Sequence, residues 1–118
     1  MIEKLLLVFL GGGLGSALRY LISEGVFRAY SLTFPLATLV ANLLSCLLMV
    51  VLIKSGKLVG PGESLRLFLL VGFLGGLSTF STFSYETSLL MKEGHLAIAF
   101  TNIGLSVSVC IYCLYKLT

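Results

Sequence analysis

The sequence predicts an all-α integral membrane protein with four transmembrane helices, the third broken at mid-membrane. Three observations carry that prediction. Of 118 residues, 58% are hydrophobic and only 11% charged, with a mean hydropathy of +1.08. A soluble domain this small could not hide so much apolar surface. The apolar residues also fall into four runs, Leu5 to Ile22, Phe34 to Ile53, Leu65 to Leu90 and Leu96 to Leu114, each close to the ~20 residues that a helical span requires. Finally, the third run contains Gly72-Phe73-Leu74-Gly75-Gly76-Leu77-Ser78-Thr79-Phe80-Ser81-Thr82-Phe83-Ser84, two adjacent glycines and a string of hydroxyls in the middle of a crossing. Residues 1–118 read as a single four-helix transmembrane domain.

Span one carries Gly11-Gly12-Gly13-Leu14-Gly15-Ser16-Ala17. Gly11 with Gly15, and Gly12 with Ser16, are small residues four apart, the spacing of a close helix contact. The glycines do not complete G-x-G-x-x-G and no strand precedes them, which argues against a nucleotide site. Because apolar character continues past the first run and further spans follow, the segment reads as a retained helix, not a cleaved signal. Arg19 and Tyr20 close it. Arg19 is either an interfacial side chain reaching for headgroups or a cation at the mouth of an anion path.

A loop from Ser23 to Thr33, with Glu24 and Arg28, leads to Pro35 and span two. There Asn42 stands among Ala, Val, Leu and Cys, with only Thr38 and Ser45 near it in sequence. An amide at that depth needs partners, from a second helix or a solvated path. Lys54 to Ser64, with Gly56, Gly60, Pro61 and Gly62, reads as a polar turn.

In span three, glycine is a poor helix-interior residue and Ser and Thr compete for backbone groups, so the chain can unwind midway. Non-helical backbone at membrane depth persists only where protein or a water-filled cavity covers it. Such breaks mark ion and substrate sites, because free carbonyls hold cations and half-helix ends face charge. Phe80 and Phe83 share one face of the second half-helix, beside a stripe of Ser78, Ser81 and Ser84 with Thr82. Close packing is the competing reading, for Gly72 and Gly76 form a GxxxG pair. Glu86, one turn beyond Thr82, reads as interfacial or as a pore-mouth carboxylate.

Met91 to His95 form a short connection, and span four embeds Thr101, Asn102, Ser106 and Ser108. Ser108 is the candidate for a polar wall, although membrane Ser and Thr also bond their own helix. Cys46, Cys110 and Cys113 all lie in apolar segments, and the C-x-x-C reads as two small buried side chains. The net charge of +3, without a Lys/Arg cluster, gives no reason to expect nucleic acid. With no paired carboxylates, Ser/His/Asp set or metal-ligand cluster, an enzyme is not expected.

Placing the N-terminus, second loop and C-terminus on one side puts Lys4, Lys54, Lys57, Arg66 and Lys116 against Arg19, Arg28 and Lys92. That bias is too weak to fix orientation by the positive-inside rule. Four short helices cannot enclose a protected path alone. Insertion in both directions would make an antiparallel, dual-topology homodimer natural, with the two breaks meeting at the midplane.

Gly12-Gly13-Leu14-Gly15-Ser16-Ala17-Leu18-Arg19-Tyr20, Thr38-Leu39-Val40-Ala41-Asn42 and Gly72 to Phe83 together closely resemble the Fluc (CrcB) fluoride channels. The resemblance covers all four spans in order and length. It implies a passive, fluoride-selective anion channel that exports cytoplasmic fluoride through two pores per antiparallel homodimer. It also implies multi-pass residence in the cell inner (plasma) membrane. A structural sodium ion would be held by the backbone carbonyls of Gly75 and Ser78, the latter a departure from the more usual Thr that leaves the carbonyl unchanged. The pore would be formed by Asn42, Phe80, Phe83, Ser81 and Thr82, with Arg19 at its mouth. The competing classes are a small dual-topology multidrug exporter, which would need a carboxylate that span one lacks, and a membrane subunit that only packs.

Overall fold

The computed structural model describes residues 1–31, 33–56 and 62–118. Its helices are α1 (Ile2–Ala29), α2 (Leu36–Lys54), α3 (residues 63–77), α4 (Phe80–Lys92) and α5 (Leu96–Leu117). Among the described residues, four stretches are long and apolar enough to cross a membrane: Ile2–Ala29, Leu36–Lys54, Glu63–Lys92 and Leu96–Leu117. The chain is therefore a multi-pass membrane protein with four spans, the third formed by α3 and α4 in succession.

The first loop is shorter than the sequence suggests, because α1 continues through Glu24 and Arg28 to Ala29. At about 1.5 Å per residue, α1 is longer than the hydrocarbon core is thick. The apolar run ends before the helix does, so the helix continues beyond it as a more polar final stretch. There Glu24 and Arg28 approach to 3.9 Å one turn apart. In the second loop, Lys57 and Gly60-Pro61 lie outside the described residues.

The third span holds two departures. Between a first turn, Glu63–Arg66, and a last one, Gly75–Leu77, the backbone of Leu67–Leu74 is a π-helix. The span then breaks two residues beyond the paired glycines, which themselves remain helical. Ser78 (φ −78°, ψ 153°) and Thr79 (φ −150°, ψ 120°) are extended.

The glycines are held helical by what faces them. α1 and α3 run parallel, tied at their starts by Lys4 and Glu63 at 3.2 Å. A side chain at Gly11 would strike the Phe68 carbonyl, one at Gly15 the Phe73 carbonyl and one at Gly76 the Gly12 carbonyl; at Gly72 a Cβ would sit 2.9 Å from the Val8 carbonyl. Glycine thus serves the seam between two backbones, while the hydroxyl residues that follow serve the break.

α4 and α5 are joined by a tight helix-ending motif. The His95 amide donates to the Leu90 carbonyl at 2.8 Å and the Gly94 amide to Met91 at 3.2 Å, with Gly94 at φ +86°. The interior is small, centred on Ala41, Leu74, Leu77, Phe83, Leu90 and Ala99. Large residues such as Phe9, Phe100 and Tyr115 face outward, where lipid or a partner takes the place of a core.

Candidate functional site

The site is built on the break. Were the third span continuous, the Thr79 amide would bond the Gly75 carbonyl. It donates instead to Asn42 Oδ1 at 2.8 Å, while Asn42 Nδ2 donates to the Thr79 carbonyl at 3.2 Å. One amide side chain on α2 thus satisfies both backbone groups of the extended residue, as a neighbouring strand would. Thr79 Oγ1 then caps α4 by accepting from the Thr82 amide at 3.2 Å, and lies 3.5 Å from Ser81 Oγ. Ser78 Oγ donates back to the Leu74 carbonyl at 2.8 Å.

Arg19 has a role that neither sequence reading anticipates. Its Nε donates to the Gly76 carbonyl at 3.1 Å, placing a guanidinium at the negative end of α3. Arg19 can do this because the parallel glycine seam brings α1 onto the last turn of α3.

Two cavities flank the break, and Thr79 lines both. The first, about 480 Å³ and hereafter the polar cavity, carries the polar side chains of Ser16, Arg19, Thr38, Thr82, Tyr85 and Glu86 in a wall that also includes Tyr20, Phe27 and Ala37. Glu86 accepts a hydrogen bond from Thr38 Oγ1, so it is anchored to α2 instead of trailing in the interface. The second cavity, about 260 Å³, is bordered by Asn42, Ser78, Thr79, Phe80, Phe83 and Ser106, with Cys46, Val107 and Cys110. Phe80 and Phe83 lie with ring centroids 5.8 Å apart and planes tilted by 37°. A third hollow, about 390 Å³, opens among the ends of α1, α2 and α4, and shares Phe27, Ala37 and Glu86 with the polar cavity.

The expected site residues therefore fall into groups. Asn42, Ser78, Phe80 and Phe83 converge on the aromatic cavity, and Arg19 and Thr82 on the polar one. Ser81 lines neither; it is exposed on α4 next to the Thr79 hydroxyl. Gly75 is exposed as well, and Phe80 is 78% exposed, whereas Phe83 is buried.

On α5 the wall is made by Ser106, while Ser108 points outward. Ser106 belongs to a buried relay. Its Oγ donates to Asn102 Oδ1 at 3.2 Å, Asn102 Nδ2 donates to Thr87 Oγ1 at 2.9 Å, and Thr87 Oγ1 donates to the Phe83 carbonyl at 2.7 Å. The fully buried Asn102 thereby fixes Ser106 and the backbone of Phe83 together. The signal for this was present: residues 102, 106 and 110 form one stripe of a helix, and residue 108 lies on the opposite face.

Chemically, the arrangement offers hydrogen-bond donors, aromatic edges and one cation along a series of hollows, with the unwound backbone braced from α1 and α2. A model of the family described as CrcB-like protein, Camphor Resistance (CrcB), matches residues 6–116. Similar curated proteins include the "Fluoride-specific ion channel FluC" of Shewanella pealeana and that of Shewanella halifaxensis. Each is 43% identical over 113 residues, covering 96% of this chain and 91% of the relative. The protein of the same description from Shewanella piezotolerans is 42% identical over the same shares.

Proposed function

This chain belongs to the CrcB-like protein family, and from that premise we propose that it is a fluoride channel that lets the anion leave the cytoplasm passively, through two pores per antiparallel dimer. It is a channel and not an enzyme. The observation that carries the reading is the meeting of Asn42, Phe80, Phe83 and Ser106 around one cavity, which adjoins, at Thr79, a cavity bordered by Arg19.

Fluoride is small and strongly hydrated, so a pore must replace its water with donors. Arg19 supplies positive charge in the polar cavity, and Thr82 a hydroxyl. Past Thr79, Asn42 has a second Nδ2 hydrogen beyond the one given to Thr79, and the Phe80 and Phe83 rings present electropositive edges. α4 begins at Phe80, so the positive end of its dipole lies at the same point. Each ligand is weak, and several weak sites in succession let an ion enter and leave. An inside-negative potential of 100 mV favours anion exit by about 2.3 kcal/mol per charge. A passive pore in the plasma membrane is then sufficient for export.

The need for a second copy follows from what one chain leaves uncovered. Phe80 is 78% exposed and Gly75 and Ser81 are exposed, all beside unwound backbone. Backbone of that kind cannot face lipid. A second chain against this face would cover it and complete the walls around Phe80. A sodium ion fits the same place: Gly75 and Ser78 offer hard carbonyl oxygens where the helix ladder is interrupted, and two copies double the donor set. The bound ion would supply fixed positive charge between opposed carbonyl dipoles.

The test is fluoride efflux from liposomes containing the purified protein, with a potassium ionophore to balance charge and chloride as the control anion. Rapid loss of fluoride with chloride retained is expected. A well-folded dimer that passes no fluoride would overturn the proposal.

A further inference from the structure

We propose that Cys46 and Cys110 form a two-thiol site for a soft divalent cation of the mercury(II) type, set in the wall of the aromatic cavity, and that its occupation stops anion flow. The second half of this statement rests on the channel reading above; the first does not.

The two thiols come from different spans, α2 and α5, and stand in the wall of one small cavity. Both are free. Both line the 260 Å³ cavity that Asn42, Phe80, Phe83 and Ser106 also border. Cys113 is also free and follows Cys110 by three residues on α5, but it is absent from the cavity wall.

The donor set selects the ion. Sulfur ligands favour soft metals over Mg²⁺, Ca²⁺ or Mn²⁺, which need oxygen. Among the described residues no group of three or more His, Cys, Asp or Glu could hold a metal, so the four-ligand shell of structural zinc is not available. Mercury(II) is satisfied by two sulfurs in line. Each thiol releases its proton to water and donates a sulfur pair, no electron is transferred, and the dication with two thiolates is neutral. Neutrality matters at this depth, where a net charge would be costly. A silver(I) or copper(I) bis-thiolate would carry one negative charge in the wall of an anion path.

Occupation would act by volume and by tethering. The cavity is small, and a metal between Cys46 and Cys110 would reduce it while fastening α2 to α5 across the face where Asn42 and Ser106 stand. The donors would then lose the freedom to follow a passing ion.

The experiment titrates mercuric nitrate into the purified full-length dimer, read by metal content after gel filtration and by thiolate-to-metal absorption. The wild type should bind one equivalent per chain tightly, Cys113→Ser should do the same, and Cys46→Ser and Cys110→Ser should each weaken binding at least 100-fold. Should a serine variant fail to fold, the alanine variant at that position replaces it. Unchanged binding in Cys46→Ser or Cys110→Ser, or equal loss in Cys113→Ser, would overturn the site. In proteoliposomes, mercury at one equivalent should lower wild-type fluoride efflux at least tenfold. The ratio of treated to untreated efflux should stay near one in the Cys46→Ser, Cys110→Ser double variant. Tight binding by this pair without loss of flux would overturn its link to the ion path. Absence of fluoride flux before any mercury is added would refute the channel reading and leave the titration intact.

Discussion

Replacing Asn42 with alanine removes both partners of Thr79 at once and leaves an amide and a carbonyl of extended backbone inside the bilayer. The two bonds measure 2.8 and 3.2 Å. An unsatisfied buried group costs about 1–3 kcal/mol in soluble proteins; membrane hydrogen bonds measured by double-mutant cycles average about 0.6 and reach about 1.7 kcal/mol. Thr79 is half-buried, so the lower scale governs, and two bonds give about 1–3 kcal/mol. Asn42→Asp keeps an acceptor for the Thr79 amide but turns a carboxyl oxygen toward the Thr79 carbonyl and adds negative charge to the aromatic cavity. Equilibrium unfolding in mixed micelles should therefore show Asn42→Ala destabilised by that amount. Fluoride efflux should fall at least tenfold in both variants, and further in Asp than its stability loss explains. Wild-type stability and flux in Asn42→Ala would refute the argument that this side chain holds the break.

The two phenylalanines should separate by experiment: Phe83→Ala, which opens a buried site, should cost about 3–5 kcal/mol in the same unfolding assay, while Phe80→Ile should leave the chain's stability nearly unchanged. Both together as isoleucine should abolish flux in a dimer that still elutes normally. A methyl at Gly15 meets the Phe73 carbonyl, and separating two backbones should cost at least about 1–3 kcal/mol. Gly104→Ala meets nothing within 4 Å in a helix interior and should stabilise by about 0.5–1 kcal/mol; the pair of melting curves checks both signs. Asn102→Leu takes the acceptor from Ser106 and the donor from Thr87, which keeps its bond to the Phe83 carbonyl, so it should destabilise by about 1–3 kcal/mol and lower fluoride flux without touching the ion, as measured side by side in micelles and liposomes.

The spans were legible because a helix in lipid must be apolar for about 20 residues, and hydropathy records that directly. The break was legible to within two residues, since Gly75-Gly76 and Ser78-Thr79 both permit it. Choosing between them requires knowing that Gly72 faces Gly11 and Gly12 and that Gly76 faces Gly12, a matter of register between α1 and α3. The same register decides where the Arg19 guanidinium lands, and nothing in the residue types of span one points to the Gly76 carbonyl. The π-helical turn at Leu67–Leu74 leaves no mark in residue type, because a shift in hydrogen-bond partner needs no special side chain. In span four, Ser106 and Ser108 are chemically alike, and only the stripe with Asn102 and Cys110 tells them apart.

If the proposed ion path runs through both, Thr79, common to the walls of the 480 Å³ and 260 Å³ cavities, would make the channel resemble two resistors wired end to end. Current through such a pair is governed by the larger resistance, so modest damage to the wide element hardly registers. Substitutions at Tyr85 and Glu86 should leave the current almost flat until the vestibule becomes as resistive as the aromatic stage. Those at Phe83 or Asn42 should register in full from the first change. On that path, variation at the wide end would be hidden from any selection that reads only throughput, leaving that end free to diverge toward other demands.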